Sequence, residues 1–210
     1  MGQCNHEEAD TRIIIHLIHA LGEGAESLLV RTVDTDVVVI LIGKLRYLLA
    51  CNQRVKIWVA FEMGRHYSLI NINRIYSSLG VSKSLALPVF HAFTGSDCTS
   101  QFCGIGKPTA WKAWEACDQA TTALKHIAEH PFEQLDASSE IFQKLERLTV
   151  VMYAKTSPLE PVNEARMMLF SKRDLDNIPP TQVTVFSICF FIGKNDSLSH
   201  SLFLLFLFFI

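Results

Sequence analysis

Acidic residues occur in three short groups whose spacing could assemble a metal site. The groups are Glu8 with Asp10, Asp34 with Asp36, and Asp97 at the end of HAFTGSD. Carboxylates that converge repel one another, and each raises the pKa of its neighbours unless a cation is present. Mg²⁺ and Mn²⁺ prefer such oxygen ligands, and two ions can clamp the attacking water and leaving oxygen of a phosphodiester. The combination predicts a site for two Mg²⁺ or Mn²⁺ ions.

Each acidic group taken alone also has a structural interpretation. Acids such as Glu7 in a first helical turn compensate the helix dipole. Asp34 and Asp36 could be a turn and a helix N-cap, and Asp97 could equally be a cap, since Asp is a common N-cap residue. The metal-site hypothesis therefore depends on all three groups meeting in space.

A glycine-rich turn follows the last acidic group at short range. Gly104, Ile105, Gly106 and Lys107 precede a predicted helix, and such a turn leaves backbone amides and carbonyls bare. It could approach a phosphate backbone closely, helped by the helix N-terminus and by the lysine. It is not a P-loop, because position 101 is Gln and position 108 is Pro. On its own, the turn is more typical of a plain helix connection.

The order of these motifs resembles the carboxyl half of flap endonuclease-like nucleases in the PIN-like superfamily. The resemblance rests on Glu8-Ala9-Asp10, Asp34-Thr35-Asp36, Gly95-Ser96-Asp97 and Gly104-Ile105-Gly106, and covers about residues 6–117. It implies that Glu8, Asp10, Asp34, Asp36 and Asp97 hold the metal ions. It also implies that the turn 104–107 contacts duplex DNA. Residues 138–182 resemble a continuation found in uncharacterised, mobile-element-like animal proteins, which implies no known activity.

The chain departs from the family pattern in two ways. Asp10 stands where the family has Glu, which shortens the reach by one methylene. The family's first strand also supplies a metal-binding Asp, and Met1 leaves no room for it, so we expect a truncated core. The leading hypothesis is metal-dependent DNA hydrolysis, with activity weakened or lost by truncation. The alternative is a catalytically silent PIN-like remnant that binds nucleic acid or protein.

Other chemistries have weaker support. Cys98 and Cys103 with His91 are spaced too loosely for a zinc site, and His6-Glu7-Glu8 lacks the second histidine of a zinc-protease motif. Trp111 and Trp114, three residues apart, are more typical of a core than of base stacking. With no visible signal peptide, we expect an intracellular protein with free thiols, and a nuclear location is one option.

The elements that must position these residues are read from hydrophobic periodicity. We expect strands over 28–33 and 55–61, with 67–70 forming a hairpin, and helices over 6–22, 72–79 and 85–93. The apolar run 37–49 could begin as strand or helix. Helices are expected over 107–117, 119–129, 138–154 and 161–171. The predicted fold is α/β: a partial PIN-like Rossmannoid parallel sheet with a helical carboxyl-terminal extension.

The composition of the whole chain excludes some classes of protein, and the composition of residues 183–210 differs from that of the rest. The 210 residues are 49% hydrophobic with net charge −2, which excludes disorder throughout and a broadly basic nucleic-acid coat. Residues 183–210 hold half of the 14 Phe but only Lys194 and Asp196 among charged residues. Neither apolar block there reaches the ~18 residues of a membrane span. We expect domains 1–117 and 118–182, followed by a tail foreign to them; a buried strand pair and a membrane anchor are the alternatives.

Overall fold

The computed structural model describes residues 9–63, 66–96, 99–131, 133, 135–170 and 178–194. Within them the fold is mixed α/β. Its elements are α1 (Ala9–Gly22), β1 (Ser27–Thr32), α2 (Thr35–Cys51), β2 (Lys56–Met63), β3 (His66–Asn71), α3 (Ile72–Phe93), α4 (Lys107–Glu115), α5 (Asp118–Glu129), α6 (Glu140–Tyr153), α7 (Val162–Phe170) and α8 (Gln182–Lys194). The chain divides into two compact units, residues 1–88 and 89–210, whereas the sequence placed the first boundary at 117.

Unit 1 holds a three-stranded sheet in the order β1-β2-β3. β1 and β2 are parallel, from Ser27 opposite Lys56 to Thr32 opposite Phe61. β3 is antiparallel to β2, as expected of a hairpin. The sheet is therefore mixed, and the predicted parallel arrangement holds for β1 and β2, which α2 connects as the crossover that parallel strands need.

The apolar run 37–49 is helical throughout, as part of α2. Nine residues of α2 are buried, including Leu41, Leu45 and Leu48, none of which is exposed to solvent. A helix that is apolar on most of its surface has to be enclosed by its neighbours. α3 approaches α2 closely at Gly43, because a Cβ at this position would lie 2.5 Å from Cγ of Pro88.

A glycine divides α3 where the sequence predicted two helices. Gly80 has φ 76° and ψ 167°, outside the helical region, between the predicted helices 72–79 and 85–93. Glycine adopts a positive φ without the steric penalty that a Cβ imposes. The carboxyl half of α3 carries the HAF segment, and Phe90 stacks on Trp114 with ring centroids 4.4 Å apart. Trp114 is 1% exposed, which confirms its predicted place in a core.

The helices of unit 2 are arranged around α6, which contacts α4, α5, α7 and α8. Phe142, Leu145 and Leu148 of α6 are completely buried. The carboxylate of Glu146, also on α6, accepts the backbone N–H of Val162 at 3.3 Å and the side-chain amide of Gln182 at 3.2 Å. One buried acid thus joins the first residues of α7 and α8 to the central helix.

Part of the apolar tail packs into unit 2 as helix α8. Val185, Ile188, Cys189 and Ile192 are buried, and α8 contacts α6. This spacing is that of one helical face, so the first apolar block is a helix rather than a strand, with one face buried within unit 2. Residues 195–210, which hold the second block, lie outside the described part of the chain.

Among the described residues, none of the helices combines the length and the apolar character needed to cross a bilayer.

Candidate functional site

Asp34 lies two residues beyond the end of β1, and Asp36 lies in the first turn of α2. The backbone N–H of Asp34 donates to Oγ1 of Thr32 at 3.0 Å, which fixes the turn. Asp34 has extended backbone angles, and its Oδ1 accepts the N–H of Asp36 at 2.8 Å. Asp34 is therefore the N-cap of α2, and Asp36 is the acid in its first turn.

The position of Asp34 and Asp36 after β1 is one where ligands commonly bind. In open α/β sheets, ligands bind beyond the carboxyl ends of parallel strands, and β1 is such a strand. Asp34 and Asp36 are both partly buried there. The cap occupies one oxygen of Asp34, and a carboxylate has a second oxygen able to ligate a hard cation. The local geometry fits both the cap and the first part of a metal site.

The remaining predicted ligands are placed only in part. Asp10 lies in the first turn of α1, and α1 contacts α2 within unit 1. Glu8 and Asp97 lie outside the described residues, and position 97 belongs to the range of unit 2. The structure thus brings Asp34 and Asp36 together in one turn, and the five-carboxylate cluster stays a prediction.

The segment before Asp97 ends α3 in a network of hydrogen bonds. Oγ1 of Thr94 donates to the carbonyl of Phe90 at 2.8 Å, and Oγ1 of Thr99 donates to the carbonyl of Ala92 at 2.6 Å. Gly95 follows with φ 100°, and its N–H also bonds the carbonyl of Ala92. These bonds satisfy carbonyls that a helix end otherwise leaves without partners. The Thr-Gly-Ser part of the motif therefore has a helix-terminating role.

Gly95 is required by sterics as well as by its backbone angle. A Cβ at this position would lie 2.3 Å from Cγ and 2.9 Å from Cα of Gln101. The second contact involves the backbone, which cannot move aside as a side-chain tip can. The glycine thus allows the chain to turn back against itself just after α3.

The predicted DNA-contacting turn leads directly into α4. Gly104 has φ 70°, and the N–H of Ile105 bonds the carbonyl of Phe102 at 3.1 Å. Gly106 is the N-cap of α4 and has no side chain to satisfy the first amides. Gly104 and Gly106 are both exposed, so their backbone is accessible. A phosphate could approach this helix start closely.

Lys107, predicted to help bind phosphate, makes contacts within unit 2. Its Nζ donates to the carbonyl of His91 at 2.5 Å and to Oγ1 of Thr94 at 2.8 Å. A cation is favourable at the carboxyl end of a helix, where the carbonyl dipoles point outward. Lys107 therefore links the start of α4 to the end of α3.

The zinc candidate considered from sequence, Cys98 with Cys103 and His91, lies only partly within the described residues. Cys51, Cys103, Cys117 and Cys189 are free thiols, as predicted. Cys98 lies outside the described residues, so its spacing from Cys103 is untested. The carbonyl of Cys103 accepts the phenol of Tyr153 at 2.9 Å, and burial raises the pKa of that phenol to about 12.

Sequence reasoning missed a cluster at the end of α5. Donor atoms of His126, His130 and Glu133 lie within 4.8 Å of one another, one from each side chain. Nε2 of His126 is 2.8 Å from Oε2 of Glu133, and the two imidazole rings stack with centroids 4.4 Å apart. The available signal was the spacing of His126 and His130, four residues apart, with His130 directly after the end of α5. Pairs of histidines with this spacing occur in helical zinc sites.

Comparisons with known proteins add no assignment to these geometric observations. No family model matches the chain, and neither a curated protein nor a solved structure is significantly similar to it.

Proposed function

We propose that this chain is a divalent-metal-dependent phosphodiesterase of the PIN-like, flap endonuclease type, acting on DNA. The proposal is carried by the position of Asp34 and Asp36 at the carboxyl end of β1, beside the start of α2. With Glu8, Asp10 and Asp97, they would hold Mg²⁺ or Mn²⁺. Such ions supply Lewis acidity and charge neutralisation for phosphodiester hydrolysis.

The role of this chain's own residues in such a reaction is to bind and orient. Asp34 is held in one orientation by its bond to the N–H of Asp36 and by the Thr32 turn. A ligand already fixed in this way loses little conformational freedom when it binds. The exposed turn Gly104–Gly106 and the first amides of α4 would hold the DNA backbone without reading its sequence.

A second candidate function is non-catalytic binding of nucleic acid or protein. It is favoured by two contacts that give predicted site residues a structural role, so that no ligand is needed to account for them. Asp34 caps α2, and Lys107 bonds the end of α3. A binding module would keep the exposed glycine turn and need no cluster of carboxylates.

Conservative substitutions separate the metal role of Asp34 from its cap role. Asn is as good an N-cap as Asp, so Asp34→Asn retains the helix start and removes the charge. We expect Asp34→Asn and Asp36→Asn to abolish cleavage of flap and single-stranded DNA in Mg²⁺ or Mn²⁺, with helical content unchanged. Asp118→Asn, in the first turn of α5, is the matched control.

The outcomes distinguish the two functions. Cleavage by the wild type and the control, lost in both site variants, supports the phosphodiesterase. DNA binding without cleavage at any metal concentration supports the binding module. Cleavage that is equal in all four proteins would overturn the assignment of Asp34 and Asp36.

A further inference from the structure

The end of α5 and the turn after it bring together three side chains with the chemistry of a transition-metal site. His126 lies in the last turn of α5, His130 is its C-cap, and Glu133 follows three residues later. The N–H of Glu133 bonds the carbonyl of His130 at 3.1 Å, which turns the chain back toward the helix. Local backbone structure therefore positions all three residues.

Hydrogen bonding sets the tautomer of one imidazole. Nδ1 of His130 lies 3.0 Å from the carbonyl oxygen of His126. A carbonyl can only accept, so Nδ1 carries the proton, and Nε2 of the neutral ring keeps a lone pair. Metal-binding histidines commonly donate their other ring N–H to a carbonyl in this manner, which orients the ring.

The distances are compatible with ligands of one ion. Bonds of 2.0–2.1 Å in tetrahedral zinc sites place ligand atoms about 3.3 Å apart. The His126–Glu133 pair, at 2.8 Å, would open by about half an ångström, and the other pairs would close from at most 4.8 Å. Side-chain rotation supplies such shifts, because the His126 and Glu133 side chains are 29% and 50% exposed.

We infer that His126, His130 and Glu133 form a surface site for a first-row divalent transition ion of the Zn²⁺ class. Two imidazoles and one carboxylate suit Zn²⁺ and exclude Mg²⁺ as the preferred ion, since imidazole is a poor ligand for the harder cation. The carbonyl dipoles at the carboxyl end of α5 also favour a cation. The site is independent of the proposed nuclease residues.

The test uses the full chain and Zn²⁺ alone, measured by titration calorimetry against a competing chelator. We expect one site in the wild type, weakened at least about tenfold by His130→Ala and by Glu133→Gln. Two matched controls should bind like the wild type: His19→Ala, an exposed histidine in the last turn of α1, and Glu129→Gln, whose carboxylate pairs with Lys125. Circular dichroism checks that every variant is folded.

A second readout is thermal unfolding with and without Zn²⁺. An ion that binds only the folded state raises the unfolding midpoint. The increase should be present in the wild type and both controls and absent in His130→Ala and Glu133→Gln. Equal zinc binding in all five proteins would place the ion elsewhere, for example on exposed thiols, and would overturn the inference. Failure of the wild type to bind Zn²⁺ would do the same.

Discussion

Asp34 is the N-cap of α2, and the proposed function adds a role as a metal ligand, which the sequence alone could not separate from the cap. The bond from the Asp36 amide to Oδ1 of Asp34 is an N-cap, which was one of the two interpretations of the motif. The metal role requires further carboxylates around the same point. A cap contributes about 1 kcal/mol, which gives the first prediction a measurable size.

Replacing Asp34 with Ala should lower the free energy of unfolding by about 1 kcal/mol, because the first amides of α2 lose their acceptor. Replacing it with Asn should leave stability within about 0.5 kcal/mol of the wild type. Urea unfolding followed by circular dichroism measures both. If the two variants lose equal stability, the stabilising contribution is the charge rather than the cap.

Gly95 should tolerate no side chain. Gly95→Ala forces a Cβ against the backbone of Gln101 at a φ of 100°, so we expect a loss of more than about 1 kcal/mol in unfolding free energy. Gly22, where a Cβ meets nothing within 4 Å, is the control, and Gly22→Ala should have little effect. Similar unfolding midpoints for the two variants would contradict the close approach seen here.

At the scale of elements, α8 has a buried face and an exposed face. Introducing the same residue on each face should change the free energy of unfolding by different amounts. Val185 is fully buried, and Val183 is 74% exposed. Val185→Asp should place an unpaired charge in the core and destabilise the protein by at least about 3 kcal/mol. Val183→Asp should be nearly neutral. Thermal unfolding of the pair measures the contrast; equal midpoints would mean that α8 does not contribute to the core.

Most elements could be predicted, and the exceptions share a cause. The helices α4 to α7 and the hairpin lie close to their expected ranges. In these segments polar and apolar residues recur with the period of a helix or a strand, so the type of element can be predicted. The run 37–49 has no polar face, so its period could not be read. In α8 the spacing of Val185, Ile188, Cys189 and Ile192 is that of a helical face, but most residues around them are also apolar, which obscures the period.

The candidate site could be predicted less fully than the fold. The acids of the Asp34 turn were identified because they follow a strand, which is a local property of the sequence. Whether Asp97 meets them depends on packing across the chain, which local periodicity does not encode. The His126 cluster arises from one helix and one turn, so its spacing was readable in principle.

For the whole molecule, stability should depend on pH through one buried amine. Lys44 is 5% exposed, and burial lowers the pKa of its ammonium to about 7. The face of the Tyr47 ring, 5.7 Å from Nζ, partly compensates the charge. Between pH 7 and its usual pKa of 10.5, the unfolded chain holds a proton that the folded chain has released. The free energy of unfolding therefore rises with pH over this range.

From pH 7 to pH 9 this linkage amounts to at most about 2 to 3 kcal/mol. Lys44→Met retains the apolar stem and removes the ionisable group, so we expect greater stability at pH 7 and a flatter pH profile. The comparison cancels the opposite contribution of Cys189 and Tyr153, whose raised pKa values of about 12 weaken the fold in alkali. Parallel profiles for the two proteins would show that Lys44 remains protonated when folded.

The thiol of Cys189 can report transient detachment of α8 from the rest of its unit. Burial against the rest of its unit raises the pKa of this thiol to about 12, whereas Cys51 and Cys103 are exposed. Alkylating reagents attack thiolates, so this sulfur should react only while the helix is transiently detached. The rate at which a thiol reagent labels Cys189 would therefore count those openings, and a partner that bound over α8 would slow the labelling.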